Sequence, residues 1–418
     1  MEGLQVILMS LDDVTPGMSV GVGLRSKQGH MLLGPGVALT ASYIQRLKDL
    51  GYCAVWIDDE DTRDIPYEDT LSETTRLAST SAIRDTFALT SVEVEKIRTR
   101  SLEEIRQTLD TRKVHQAFEN AGMLERLTSH VDAVVGEVLD RTVLTGLSSL
   151  RTHNSYAYQH SLDVAVTATM IGRLLEYDRA TLKKLAIGCM LHDIGILFVD
   201  STIVDKPGPI SDDEYGRVKD HCVLGYLFVR DTLRLGVLPS HVAYQHHERQ
   251  DGAGYPRGLT GTNRLVQGPE MHVPGRITPL GEIAAIADYH DALSSDRPWR
   301  QRMPADEVWR LIREAAGAQL NREIVERFLS VLPPYPLGTL VTVTEGSSVG
   351  CTGVVARVDP GAMDRPIVRL LHRANGERMS PVEIDLRRTH ARLRGVIGVA
   401  QAPVVDAAAA GIAPELEP

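Results

Sequence analysis

Asp193 constrains this chain more than any other residue. It stands in Cys189-Met190-Leu191-His192-Asp193-Ile194-Gly195, beside one histidine, in a sequence that offers four more at His160, His221, His246 and His247 and a second carboxylate at Asp288. A carboxylate has two oxygens and can bridge two cations. An Asp with five imidazoles and another Asp in reserve is therefore what a two-metal hydrolytic site requires. Such a set serves metals only where the fold gathers it at one point.

The remaining bounds are broad. The 418 residues allow roughly two to four domains of ordinary size, with ample chain to bury a core. A net charge of −10 argues against general binding of a nucleic-acid polymer, although a local basic pocket could still hold phosphates. Cys53, Cys189, Cys222 and Cys351 are far apart with no CxxC pair, so neither a disulfide framework nor a thiolate zinc site is indicated, and a reducing cytoplasm is expected. The start, Met1-Glu2-Gly3-Leu4, lacks a positive leader, and no run of about 18 apolar residues occurs, so no membrane association is expected.

Punctuation divides the chain. Residues 1–65 read as an α+β module: short strands joined by Gly turns, a helix over Ala41 to Leu50 and a last strand at Ala54 to Ile57. Residues 70–150 read as a helical linker or dimerisation region, in which Leu124, Leu127, Val131, Val134 and Val138 alternate at spacings of three and four. That seam packs either on the chain's own core or on a second copy in a homodimer. Residues 151–332 read as an all-helical domain, closed by Pro333-Pro334-Tyr335-Pro336. Segments Thr339 to Thr344, Gly353 to Val358 and Pro366 to Leu371 make residues 337–395 a small β domain, and the Ala/Pro-rich tail, 400–418, is expected to be disordered. The fold class is mainly α, a central all-helical domain between a small α+β module and a small β domain.

Within the helical part each candidate has a context. His160 sits on the first turns of a helix from Tyr156 to Leu175, where a lone histidine is ordinarily a satisfied core or surface residue. Thr181 is placed to cap a second helix that ends at Gly195, taken as a left-handed C-terminal residue. His192 shares the face of Leu185 and Cys189, so Asp193 lies at the inner end of an apolar helix, where an unpaired carboxylate would cost several kcal/mol. Ser211-Asp212-Asp213-Glu214 is a capping box ahead of His221. Ser240 is placed to cap His241 to Glu248, which delivers His246 and His247 about 100° apart. Pro279 to Leu293 carries Asp288 and Asp291 on one face, either of which could be a ligand and the other a structural carboxylate.

His246-His247-Glu248-Arg249-Gln250-Asp251-Gly252-Ala253-Gly254-Tyr255-Pro256 matches the HHExxDGxGYP signature, and His192 to Gly195 the HDIG element, of HD-GYP domains. His160 to Ala165, Lys206-Pro207-Gly208, Ala287 to Leu293 and Arg297-Pro298-Trp299-Arg300 extend the resemblance over about residues 145 to 330. It implies an HD-type metal-dependent phosphohydrolase of bacterial signalling that opens cyclic di-GMP or a related cyclic dinucleotide to pGpG, GMP or both. It further implies two divalent transition metals, iron or manganese. His160, His192, Asp193 and Asp288 would surround one ion and His221, His246 and His247 the other, Asp193 bridging, so that hydroxide held between them attacks phosphorus in line.

By the same resemblance, His192 and Asp193 are the catalytic pair. Arg297 and Arg300 contact substrate phosphate, with Lys206 a further candidate. The loop of Asp251, Gly252, Gly254, Tyr255 and Pro256 shapes the site and meets partners such as diguanylate cyclase domains. Three positions depart from the pattern. Ile196 replaces a phosphate-facing Lys. Tyr156 replaces the Glu of members with a third metal, so two ions are expected. Gly261 to Pro279 reads as an inserted loop over or beside the site. The Ile196 departure keeps a second reading open: a weak or inactive member that acts as a cyclic dinucleotide receptor or a cyclase partner.

Overall fold

The computed structural model describes residues 6–25, 31–50, 52, 54–65, 69–95, 97, 102–109, 116, 122–141, 143–144, 156–204, 206, 208–266, 273–295 and 302–396. Near the N-terminus, β1 (Val6–Ser10), β2 (Ser19–Val20) and β5 (Ala54–Asp58) form an antiparallel sheet in the order β1-β5-β2, beside a ribbon of β3 (Leu24–Arg25) and β4 (Met31–Leu33). Helix α1 (Ala41–Asp49), capped by Thr40, lays Ile44 and Leu47 on this sheet, where Val20, Leu39, Val55 and Ile57 close a small core.

The largest core is helical and begins earlier than expected. Helices α2 (Glu73–Val94) and α4 (Met123–Leu139), with α3 (Leu102–Leu109) between them, share one continuous core with α5 (Tyr156–Leu174) and α6 (Arg179–Met190). The described residues between 71 and 144 thus pack into this core rather than forming a linker that stands apart. The seam proposed for a dimer is spent inside the chain: Leu127, Val131, Val134 and Val138 are at most 1% exposed, packed with α2, α5 and α6. A buried ion triad ties the parts, with Arg76 on α2 donating to Asp163 on α5 at 2.7 Å and to Asp69 at 2.8 Å. Glu137 of α4 accepts from the amide and hydroxyl of Ser72, the N-cap of α2.

Helices α7 (Asp212–Leu227), α8 (Val237–Gln245), α9 (Pro279–Ser294), α10 (Ala305–Ala315) and α11 (Arg322–Leu329) complete the bundle. The Ser211 capping box forms as expected. Two other caps differ. Asp178, not Thr181, caps α6, because its carboxylate accepts from the Thr181 amide at 2.7 Å. Helix α8 starts at Val237 after Gly236, and Ser240 lies inside it, its hydroxyl donating to the Val237 carbonyl. Gly195 does not end a helix in the left-handed region either. Helix α6 stops at Met190, and Gly195 lies in a 3-10 turn, Ile194–Phe198, pressed so close to α7 that a Cβ would run into the His221 carbonyl and the Gly225 amide.

The C-terminal sheet is antiparallel with order β10-β6-β7-β8-β9, from β6 (Leu340–Glu345), β7 (Thr352–Arg357), β8 (Ile367–His372), β9 (Arg378–Asp385) and β10 (Arg392–Gly395). The last two strands are polar along much of their length and carry no strong alternation, which hid them in the sequence. One face packs on the N-terminal module, where Val354 and Leu371 bury against Ile7 and Ile65. Arg369 pairs with Asp64, and Arg378 with Asp59 and Asp61, around that contact. Residues 400–418, with the disorder expected of them, lie outside the described residues. Among the described residues no helix is long and apolar enough to cross a membrane.

Candidate metal centre

Four elements deliver the site: the first turns of α5 bring His160, the turn after α6 brings His192 and Asp193, α7 brings His221, and α8 and the turn beyond it bring His246 and His247. Helix α9 lies across them with Asp288 and Asp291. Packing explains the convergence, since α5 meets both α6 and α9, and α8 meets α6, α7 and α9.

The imidazoles are oriented from behind. Nδ1 of His192 lies 2.7 Å from the Cys189 carbonyl, that of His221 2.7 Å from Val218, and that of His246 3.0 Å from Ala243. His160 differs, because its Nδ1 lies 2.7 Å from the Asp291 carboxylate, which also accepts from the Ser295 hydroxyl. A carbonyl or carboxylate can only accept, so each Nδ1 carries the proton and each Nε2 presents a lone pair to the centre. Those Nε2 atoms meet in pairs, His160 with His192 at 3.2 Å and His221 with His246 at 3.3 Å. Two lone pairs so close repel unless a proton or a cation stands between them.

Asp193 divides itself between the pairs. Its Oδ2 lies 3.1 Å from His192 Nε2 and 3.6 Å from His160 Nε2, while Oδ1 lies 3.6 Å from His221 Nε2 and 3.5 Å from His246 Nε2. Ligands bonded at about 2.1 Å to one ion sit roughly 3.0 to 3.4 Å apart at right or tetrahedral angles, so each half has nearly the spacing of a coordination shell. Asp288 Oδ1 joins the first half, 3.3 Å from His160 Nε2. Of the two carboxylates on α9, then, Asp288 faces the Nε2 atoms and Asp291 steadies a ring from outside. Cys222 is an addition that spacing did not signal: its Sγ lies 3.4 Å from His221 Nε2, in a group with His246 and His247. Its adjacency to His221 was the one available hint.

Electrostatics match a cluster built around cations. Burial would raise the Asp193 carboxyl, but His192, His160 and His246 outweigh it and hold it well below the usual carboxylate range. Burial would lower His192, yet the Asp193 carboxylate outweighs that, and its pKa is pushed up to about 9. Burial and neighbouring His247 push His246 down to about 4. Ions entering the centre must compete with protons for these imidazoles.

The signature loop borders the His221 and His247 half. Glu248 is buried, and its two oxygens accept from the amides of Arg257 at 2.8 Å and Leu259 at 2.7 Å, pinning the chain beyond the turn. Asp251 caps the turn through the Ala253 amide and pairs with Arg249. A Cβ at Gly254 would meet the backbone of His247, Glu248 and Arg249, so only glycine lets the loop fold back so far. Tyr255 then lies against His247, ring centroids 4.7 Å apart. Gly252 and Pro256 complete the turn beside it.

The phosphate candidates fare differently. Lys206 is engaged by Glu214, at 2.7 and 3.0 Å from its two oxygens, and is not part of the cluster. Arg297 and Arg300 lie outside the described residues, as do residues 267–272 of the inserted loop and the Tyr156 side chain. The described ends of that loop are anchored: Asn263 accepts from the Arg322 amide and donates to the Gly317 carbonyl, and the Leu265 amide donates to Glu323.

A family model described as an HD domain matches residues 147–324. A cyclic di-GMP phosphodiesterase of Pseudomonas aeruginosa is 29% identical over 352 residues, covering 82% of this chain and 80% of that protein. A cyclic di-GMP phosphodiesterase of Thermotoga maritima is 31% identical over 196 residues, 47% of this chain and 49% of that one. A 3′3′-cGAMP-specific phosphodiesterase of Vibrio cholerae is 33% identical over 184 residues, 43% of this chain and 36% of that protein. The match thus spans most of the first relative and half or less of the other two.

Proposed function

We propose that the chain is a phosphohydrolase of the HD-GYP kind that hydrolyses a cyclic dinucleotide, cyclic di-GMP first, to pGpG, GMP or both; the HD-domain match over residues 147–324 and the similarity to cyclic di-GMP phosphodiesterases support this reading. The observation that supports this reading best is the division of Asp193, one oxygen toward each of two facing histidine pairs. Two divalent ions fit there, one held by His160, His192, Asp193 and Asp288, the other by Asp193, His221, His246 and His247. When bound, they would supply Lewis acidity, making water a nucleophile near neutral pH and neutralising charge on the phosphoryl oxygens.

The chain's own groups do the rest. The backbone carbonyls and Asp291 hold the rings of His160, His192, His221 and His246 in one tautomer, so little reorganisation of these four accompanies the reaction. Asp193 and Asp288 leave the four positive charges of two ions only half neutralised, which favours an anionic diester. Asp193, with 24% of its side chain exposed, and half-buried His247 mark where the centre meets solvent and substrate enters. Full-length protein loaded with Mn²⁺ or Fe²⁺ and incubated with cyclic di-GMP or 3′3′-cGAMP is expected to yield linear product by chromatography. Asp193→Ala is expected to yield none. Metal-replete protein that turns over no cyclic dinucleotide would refute the reading.

One observation favours a receptor or cyclase-partner role instead: Ile196 packs into an apolar cluster and Lys206 is bound by Glu214, leaving neither to meet a phosphate. Calorimetric binding of cyclic di-GMP without hydrolysis would select that role.

A further inference from the structure

A second cation, Lys219, stands beside the signature loop. Lys219 lies on α7, two residues before His221, half-buried, with its ammonium 4.3 Å from the Tyr215 ring centroid and 5.5 Å from that of Tyr255. The two tyrosines meet edge to face, centroids 6.4 Å apart at 81°. Tyr255 in turn lies 4.7 Å from His247 and 6.3 Å from His221. One ring therefore touches both the metal centre and the ammonium. Among the described residues no carboxylate pairs with Lys219, whereas Lys206 is taken by Glu214.

The surroundings explain why the amine is held there. Val199, Ile203 and Val218 bury a small apolar patch, and Ile196 and Tyr215 pack on it. This patch fixes the Tyr215 ring from below, and the Glu248 clamp on Arg257 and Leu259 fixes the loop that carries Tyr255. An ammonium over two ring faces keeps its full charge and several donors for an anion. The only anionic group of a cyclic dinucleotide is its phosphodiester, and the molecule has two. The reacting one must sit at the histidine cluster.

We propose that Lys219, steadied over Tyr215 and Tyr255, forms a substrate subsite beside the His221 and His247 half of the centre, where its ammonium binds the phosphate that is not being cleaved. This rests on the cyclic dinucleotide reading above. It makes Lys219 a substrate-binding residue, and Tyr215 and Tyr255 positioning residues for it.

The test measures binding rather than turnover. A hydrolysis-resistant phosphorothioate analogue of cyclic di-GMP is titrated calorimetrically into Mn²⁺-loaded full-length wild type, Lys219→Ala and Lys219→Arg at two salt concentrations, with metal content measured on each. Loss of one charge-assisted contact weakens Lys219→Ala about ten-fold to a hundred-fold and flattens its salt dependence, while Lys219→Arg stays near wild type at equal metal content. Lys219→Ala binding within about two-fold of wild type overturns the subsite. So does equal weakening of both variants with loss of metal, since that marks a structural role. If the wild type turns over cyclic di-GMP, either of those results sinks the subsite alone; if the wild type neither binds nor turns over, both readings fall together.

Discussion

Asp291 shows what a single side chain does without facing the centre. It holds His160 by Nδ1 at 2.7 Å, as a carbonyl holds each of three other rings, but a carboxylate also raises the basicity of the imidazole it grips. Asp291→Ala is expected to weaken metal binding about 10-fold to 100-fold, and Asp291→Asn, which keeps an acceptor, by less; competition titration with a chelating dye measures both. Had Asp291 been a ligand, Asn would fare no better than Ala. Helix spacing placed Asp288 and Asp291 on one face without separating them, because both lie within one turn; the family resemblance pointed to Asp288, and the crossing of α5 over α9 gives Asp291 its place behind His160.

At the scale of elements, the centre depends on close approaches and on one buried acid. Gly195 brings the turn after Asp193 against the α7 backbone at His221, and Gly195→Ala forces the two apart. A loss of about 1 to 3 kcal/mol or more in denaturant unfolding is expected, together with weaker metal retention, because the same gap separates the proposed ligands Asp193 and His221. Glu282 on α9 joins the signature segment to α11, accepting from Gln250 at 2.7 Å and from Asn321 at 2.9 Å.

Burial, partly offset by those two donors, pushes the Glu282 pKa up from 4.5 to about 7. Between these values the native state binds more protons than the unfolded chain, so this contribution to stability is present at acid pH and lost as pH rises to about 7. The change amounts to about 3 kcal/mol. Unfolding midpoints followed from pH 4.5 to 8 should show this decline in the wild type and not in Glu282→Gln; parallel curves would disprove the assignment.

For the whole molecule, the seam of α4 separates two architectures. Because Leu127, Val131, Val134 and Val138 are spent in the chain's own core, Leu127→Ala is expected to cost about 2 to 5 kcal/mol of unfolding free energy at any protein concentration. A concentration-dependent midpoint would restore the dimer seam. The termini are likewise joined: Ile7 and Ile65 meet Val354 and Leu371 inside a ring of arginine–aspartate pairs. The exposed pairs contribute little singly, so Arg378→Ala should cost no more than about 1 kcal/mol, whereas Val354→Ala opens a cavity in the joint and should cost more; thermal unfolding of both variants compares them.

The histidines and aspartates that gather at the centre were legible in the chain through the resemblance of their motifs to HD-GYP domains, since residue type alone does not single out five of 14 histidines. The capping box of α7 and the glycine-rich loop were legible for a local reason: hydrogen bonds and backbone angles reach only a few residues. The tertiary structure alone decided which oxygen of Asp193 serves which pair, what Asp291 does in place of ligation, whether Lys206 or Lys219 has its charge to spare, and which surface covers the α4 seam. Each of these depends on how helices distant in sequence cross, and periodicity within one helix carries no record of the partner it meets.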